Sequence, residues 1–267
     1  MQTTVCQNCD TQLEAGYQFC PTCGQSSAIH RFTLGHFFHE AGHALTHADK
    51  GFFYLIKELA IKPGTVLKEY ITEGKRKRYF NPFTFMLLMS GLLLFFTLVF
   101  KPYDTETAGM TKEEVKQYQA QVPQGQQIME RQKKFAAFME KNTKLISLAS
   151  VPLTAFIFWI FFRKKGLYYA EHLVAALFLT GFFTIFNILM TPILTMLKGS
   201  VLYRNLSLLP LLFQFIYFGW AYIPILSVSG AVRKWKVYFV SLVNVVVWFV
   251  LWLLAGMVYM VVGLISH

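Results

Sequence analysis

The chain has 267 residues, of which 55% are hydrophobic, 17% aromatic and 15% charged. This composition is outside the usual range of soluble domains and indicates a multi-pass membrane protein. The net charge is +11, but most of it comes from Lys and Arg beside the apolar segments, where orientation in a membrane requires them, so no nucleic-acid partner is expected.

The first feature along the chain is a set of four cysteines within the first 23 residues. They form two CxxC pairs, Cys6 with Cys9 and Cys20 with Cys23. Pairs at this separation are typical of a four-thiolate zinc ribbon, in which each pair holds one side of a tetrahedral ion. All four cysteines are therefore predicted Zn²⁺ ligands. Two disulfides would need an oxidising compartment, and redox chemistry would need a βαβ context that the sequence does not show.

A histidine-rich segment follows, with Thr33 as the predicted N-cap of a helix. One face of that helix would carry His36, His39, Glu40, His43 and His47. Residues 39–43 read HExxH, the spacing with which zinc peptidases bind the metal and place a general base. The pattern also arises by chance in a histidine-rich helix, and no separate third ligand or substrate-binding strand is evident. Three readings stay open, in order of preference: a polar face without metal, a non-catalytic metal or helix-pairing face, and a hydrolytic zinc site.

Two amphipathic helices are predicted before the first span, at residues 52–62 and 65–72, with Pro63 and Gly64 between them. They would lie in the plane of the lipid head groups or pack on the ends of the spans, and the two arrangements are compatible. The basic run that follows consists of Lys75, Arg76, Lys77 and Arg78. Each of these cations would add about 1 kcal/mol of attraction to anionic lipid head groups.

Five apolar segments are long enough to span a membrane. They are residues 81–100, 144–162, 172–197, 207–229 and 237–265. Basic clusters at 75–78, 163–165 and 233–236 fall on alternate junctions, so the positive-inside rule places the N-terminus in the cytoplasm and the C-terminus outside. The first residues carry no signal-peptide pattern. Loop 101–143 would then be external, with helical pieces at 111–121 and 126–141.

No Asp, Glu, Lys or Arg lies at the centre of a predicted span, which argues against a proton relay or an ion-coupled carrier. The polar residues that remain in the spans include three amides, Asn187, Gln214 and Asn244. Counting along the helices puts Asn187 and Gln214 at the same depth, where they could bond across spans 3 and 4. Amides that join helices are the simpler reading, and a substrate-lining role is the alternative.

Four sequence segments resemble a known family, the uncharacterised bacterial inner-membrane proteins with an N-terminal zinc ribbon and a multi-span domain. The segments are FCPTCGQ at 19–25, HADKGF at 47–52, Pro63 and Gly64 with Glu69 and Tyr70, and GKRKRYFNPF at 74–83. The resemblance is specific over residues 6–83 and extends only to hydropathy afterwards. It implies the topology and the zinc ribbon but no activity.

The sequence therefore predicts an all-α inner-membrane protein with a five-span helical bundle. Its expected parts are a cytoplasmic zinc ribbon at 1–27, amphipathic neck helices at 28–80, and a bundle at 81–267 with an external loop at 101–143. The preferred function is a non-enzymatic adaptor or transport-like component, whose head binds a cytoplasmic partner or stabilises an oligomer. The alternatives are a metallohydrolase using the HExxH at 39–43 and a small-solute or lipid carrier built on spans 3 to 5.

Overall fold

The structure, a computed structural model, describes most of the chain but not residues 28–50, which contain the predicted histidine helix. The described residues are 5–14, 16–27, 51–101, 113–114, 116–117, 125–198, 200–227 and 229–265. In these ranges the chain is helical apart from its turns and a small head at 5–27 that has two isolated antiparallel bridges. The predicted all-α, five-span fold is confirmed.

The helices follow the apolar pattern of the sequence. Their bounds are α1 Phe52–Ile61, α2 Pro63–Ile71, α3 Pro82–Phe100, α4 Gly125–Lys141, α5 Thr143–Phe162, α6 Tyr169–Met196, α7 Val201–Leu206, α8 Leu209–Ile225 and α9 Ala231–Ile265. Five helical segments are long and apolar enough to cross a membrane, namely α3, α5, α6, α7 together with α8, and α9. The predicted helix at 126–141 is confirmed as α4, whereas most of 111–121 lies outside the described residues.

Helix α6 is at the centre of the bundle, since 61% of its most apolar stretch is buried inside the protein, against 28–33% for the other four spans. Helix α3 runs parallel to it. At one end, a Cβ added at Gly181 would lie 2.7 Å from the Phe85 ring, which shows how closely the two helices approach. At the other end, Lys198 Nζ donates a hydrogen bond to the carbonyl of Lys101.

Helices α8 and α9 form an antiparallel pair. Ser241 Oγ donates to the Phe215 carbonyl at 2.7 Å, and Gly219 allows the Tyr238 ring to approach the backbone of α8. Helix α9 has 35 residues, a length of about 52 Å, so it exceeds the roughly 30 Å apolar core of a bilayer. Near its far end, Tyr259 lies 5.3 Å from the Phe135 ring of α4.

The described part of the neck, residues 51–80, packs on the bundle. Four of its apolar side chains are fully buried: Leu55, Leu59, Val66 and Leu67. They belong to the same hydrophobic core as the spans. This packing on the ends of the spans is one of the two compatible arrangements predicted for the neck. Its outer face still exposes Phe53 and Ile61.

The junction between α1 and α2 is completed by the bundle. Because Pro63 has no N–H, the carbonyl of Leu59 lacks the donor that would normally come from four residues further on. The hydroxyl of Tyr217, on α8, donates to this carbonyl at 3.0 Å and is itself buried. One residue later, a Cβ added at Gly64 would lie 2.5 Å from the Pro224 ring and 2.7 Å from the Ala221 carbonyl oxygen. The neck therefore fits against α8 only with glycine at position 64.

The three basic clusters lie at the end of the bundle that carries the neck, here called the neck end. The basic turn, residues 75–78, directly precedes α3, and the exposed 3₁₀ turn Arg163–Lys165 follows α5. Lys236, near the start of α9, places its ammonium 5.9 Å from the centre of the Phe162 ring. The alternation predicted from the sequence thus corresponds to one basic rim.

Candidate metal centre and its contact with the neck

The head begins with a tight turn around the first cysteine pair. The Cys6 N–H donates to the Thr11 carbonyl at 2.8 Å, and the Asp10 N–H donates to the Cys6 carbonyl at 2.9 Å. Asp10 has the left-handed φ of 59°, a conformation that Asp tolerates better than most residues. Val5 and Gln12 close the turn as an antiparallel bridge.

The same turn recurs 14 residues later around the second pair. The Cys20 N–H donates to the Gln25 carbonyl at 2.7 Å, and the Gly24 N–H donates to the Cys20 carbonyl at 2.9 Å. Gly24 has a φ of 70°, and Phe19 and Ser26 form the closing bridge. The head is therefore an internal repeat. The tight turn predicted at each CxxC pair is present in both copies, although the cysteines are the residues that the copies share.

The repeat brings the four predicted ligands together. Cys6 Sγ lies 3.6 Å from Cys23 Sγ, and Cys9 Sγ lies 3.6 Å from Cys20 Sγ. All four sulfurs lie within 4.8 Å of one another. These distances are far longer than the roughly 2.05 Å of a disulfide. They are close to the separation of about 3.8 Å that four sulfurs have around a tetrahedral ion with 2.3 Å bonds. The cysteines can therefore hold one metal ion.

The head has very little hydrophobic core besides these sulfurs. Among its described residues, Leu13 is the one apolar side chain other than cysteine that is buried. It packs against the cysteine cluster. A fold with so little buried apolar area would need a bound metal ion for its stability.

The backbone N–H groups of each CxxC turn, here called a knuckle, favour the thiolate form of its first cysteine. Burial raises the pKa of Cys6 to about 12, although the backbone N–H groups of Asn8 and Cys9 oppose the rise. Burial also opposes ionisation of Cys20, but there the N–H groups of Cys23 and Thr22 prevail and lower the pKa to about 6. Metal binding requires thiolates, so these N–H groups support the form of the cysteines that binds an ion.

The neck contains a charged network centred on Glu69. Its carboxylate accepts hydrogen bonds from the Tyr79 hydroxyl, from Arg78 Nη1 at 3.2 Å and from Lys75 Nζ at 3.3 Å. Arg78 Nε in turn donates to the Tyr54 hydroxyl at 2.7 Å. This network joins α1, α2 and the basic turn. It also pairs two of the four cations of that turn with a carboxylate inside the protein.

A second carboxylate supports the same turn. Lys75 Nζ lies 2.9 Å from Glu73, and Lys68 Nζ lies 3.4 Å from it. The hydrogen bond from Lys75 lowers the pKa of Glu73, and Glu73 raises the pKa of Lys75. The pair therefore stays charged over a wide pH range.

The head contacts the neck at the basic turn. Gln25 is only 4% exposed, and its Oε1 accepts a hydrogen bond from the backbone N–H of Lys77 at 3.0 Å. The same residue accepts the Cys20 N–H through its carbonyl. Gln25 thus links the second knuckle to the turn that precedes the first span.

Besides the hydroxyl of Ser90, three polar side chains inside the bundle have unpaired atoms within the described part of the chain. They are His172, Tyr222 and Asn244, each at most 1% exposed, and both His172 nitrogens, the Tyr222 hydroxyl and both polar atoms of the Asn244 amide lack a hydrogen bond. The His172 and Tyr222 rings stack with centroids 5.8 Å apart. An unpaired buried polar group costs about 1–3 kcal/mol, so the His172–Tyr222 pair is a second candidate site.

The predicted amide pair between spans 3 and 4 is replaced by another contact. Asn187 Nδ2 donates to the Phe183 carbonyl of its own helix at 2.9 Å. Next to these positions, the rings of Phe186 and Phe213 stack with centroids 4.2 Å apart. Aromatic packing therefore joins α6 to α8 at the depth where the bond between Asn187 and Gln214 was expected.

The predicted histidine face lies outside the described residues. His36, His39, Glu40, His43 and His47 all belong to the range 28–50. The hydrolase alternative therefore stays a prediction from the sequence.

Residues 49–100 match a family model described as a protein of unknown function, DUF3667. The matched residues contain α1, α2, the basic turn and α3, so they include the whole Glu69 network but not the head. No curated protein and no solved structure matches the chain. The similarity is thus to an uncharacterised family, and it covers the neck and the first span.

Proposed function

We propose that the protein is a non-enzymatic adaptor of the bacterial inner membrane, whose zinc-bound head binds another protein in the cytoplasm. The observation that supports it most directly is the apolar surface of the head. Phe19 is 62% exposed, Val5 42% and Tyr17 41%. Exposed aromatic side chains on a small polar module are typical of protein contacts.

The proposed metal is Zn²⁺, bound by Cys6, Cys9, Cys20 and Cys23. Four sulfurs at tetrahedral spacing suit zinc or iron, and two short knuckles are the usual support of a structural zinc site. The ion would stabilise the head, and the chemistry it supplies is structural.

The proposed orientation puts the neck end, and with it the head, in the cytoplasm. It rests on the basic rim, because Lys and Arg are retained on that side of a membrane. The same rim would attract anionic lipid head groups near Lys75, Arg76, Lys77 and Arg78. Since Glu69 and Glu73 offset part of that charge, the exposed turn Arg163–Lys165 is expected to add to the attraction.

The charge of the head favours a different protein over a second copy as its partner. Residues 1–27 contain Asp10 and Glu14 but no Lys or Arg, and four thiolates around Zn²⁺ would add two further negative charges. Two such heads repel each other. A partner with a basic surface and an apolar pocket for Phe19 fits this combination.

The adaptor proposal is tested with a photo-crosslinking residue at position 19 of the full-length protein in its native membrane. We expect an adduct with a different protein that disappears in Cys20→Ser and weakens in Asp10→Asn, which removes a charge but tolerates the left-handed backbone. Position 18, exposed and adjacent, is the control. An adduct with a second copy of the chain would contradict the proposal. So would the absence of any adduct that disappears when Cys20→Ser unfolds the head.

The stacked pair in the bundle favours a second candidate function, a carrier for a small polar solute or lipid built on α6, α8 and α9. His172 and Tyr222 have unpaired polar atoms. The Oε2 atom of the neighbouring Glu171 accepts a hydrogen bond from the Tyr168 N–H at 2.7 Å rather than from either of these side chains. Ionisable groups held inside a membrane domain are commonly functional.

The carrier proposal predicts a separation of stability from function. Tyr222→Phe removes one unpaired hydroxyl, so the melting temperature should stay equal or rise. If the hydroxyl binds a solute, the same variant should fail to complement a deletion strain that has a growth or envelope-stress phenotype. Tyr203→Phe, outside the pair, should complement. Full complementation by Tyr222→Phe would remove this candidate.

A further inference from the structure

We infer that the head is a metal-dependent clasp on the basic turn. With metal bound, Gln25 holds the main chain of residues 76–78, and loss of the metal releases that turn. The inference concerns a contact within the chain and does not depend on the proposed adaptor function.

The metal side of the clasp lies in the second knuckle. Gln25 follows the ligand Cys23 by two positions, and its carbonyl is held by the Cys20 N–H at 2.7 Å. The position of its side chain is therefore set by the turn that both cysteines form. Because the described head has almost no other core, this turn keeps its shape only while the sulfurs hold an ion.

The neck side of the clasp is a turn that is already ordered on its other faces. Arg78 is bound to Glu69 and Tyr54, while the Lys77 N–H points towards the head and donates to Gln25. A few residues later, Asn81 Oδ1 accepts the Phe83 N–H at 2.9 Å and caps α3. The clasp thus acts at the point where the chain enters the first span.

Charge complementarity supports the same contact. The head carries acidic residues and no Lys or Arg over residues 1–27. Residues 75–78 are four consecutive cations, of which Arg76 and Lys77 are not among the two paired with Glu69. A head docked on this turn lies in the field of the basic rim, which attracts it. The bond to Gln25 then fixes its orientation.

Trypsin tests the clasp because the basic turn is itself a trypsin site. We expect full-length protein in nanodiscs to be cut after Lys77 or Arg78 about tenfold faster once a chelator has removed the metal, since cleavage requires local opening of the turn. N-terminal sequencing identifies the new fragments, which begin at Arg78 or Tyr79. The exposed turn Arg163–Lys165 is the internal control, and its cleavage rate should not depend on metal.

Variants of Gln25 separate the clasp from simple unfolding of the head. Gln25→Ala should keep its metal and still be cut at the basic turn about tenfold faster than wild type, as expected when the acceptor is lost. Gln25→Glu retains an acceptor oxygen and should stay protected, as should Gln18→Ala on the exposed surface. Equal cleavage with and without metal, or a wild-type rate in metal-bound Gln25→Ala, would overturn the inference.

Discussion

Cys20→Ser is expected to abolish metal binding and to unfold the head while the five spans stay inserted. Removing one of four thiolates breaks the tetrahedral site, and structural zinc of this kind contributes on the order of 10 kcal/mol to folding. Leu13 alone cannot replace that contribution. The checks are metal content by atomic spectroscopy and limited proteolysis of residues 5–27.

The matched control is Gln18→Ser, which introduces the same residue at an exposed position of the head. It should bind one metal ion per chain and resist protease like wild type. If Cys20→Ser retained the full metal content, the four-cysteine site would be wrong. If it lost the metal but the head stayed protease-resistant, the head would have a source of stability that the described residues do not contain.

Gly64→Ala is expected to destabilise the whole membrane domain. The added methyl group would lie 2.5 Å from the Pro224 ring and 2.7 Å from the Ala221 carbonyl oxygen, and the second of these is backbone that cannot move aside. Overpacking of this kind costs about 1–3 kcal/mol or more. The melting temperature in detergent should fall by about 5 °C or more.

Gly91→Ala makes the same substitution in α3, where an added Cβ would meet nothing within 4 Å. Alanine favours a helix over glycine by roughly 1 kcal/mol, so this variant should be as stable as wild type or slightly more stable. Similar melting temperatures for the two variants would show that the neck does not pack against α8 as described.

The spans could be predicted because their signal is local. Asn81 accepts the Phe83 and Thr84 N–H groups as an N-cap and Pro82 occupies the first helical position, and the predicted start of span 1 at residue 81 agrees with this. The fifth apolar span is predicted to start at residue 237, whereas the helix that contains it, α9, begins at Ala231. Its first turns are basic and exposed, and a helical pattern outside the apolar region is not visible to a hydropathy argument.

The contacts that join distant parts of the chain could not be predicted in the same way. The presence of Pro63 indicates that the Leu59 carbonyl lacks its helical hydrogen-bond donor, yet nothing in the sequence identifies Tyr217 as the residue that replaces it. The two candidate sites differ in the same way. The CxxC spacing alone predicts that Cys6 and the other three cysteines form one cluster, whereas the His172–Tyr222 stack depends on the packing of α6 against α8. Such pairs between distant residues can be identified only from the packed structure.

The bond between Gln25 and the Lys77 N–H bears on how such a protein can change during evolution. A main-chain donor is present at position 77 with every residue except proline, so most substitutions there keep the hydrogen bond to Gln25. Substitutions at position 77 can therefore change the charge of the basic turn and leave the attachment point of the head in place.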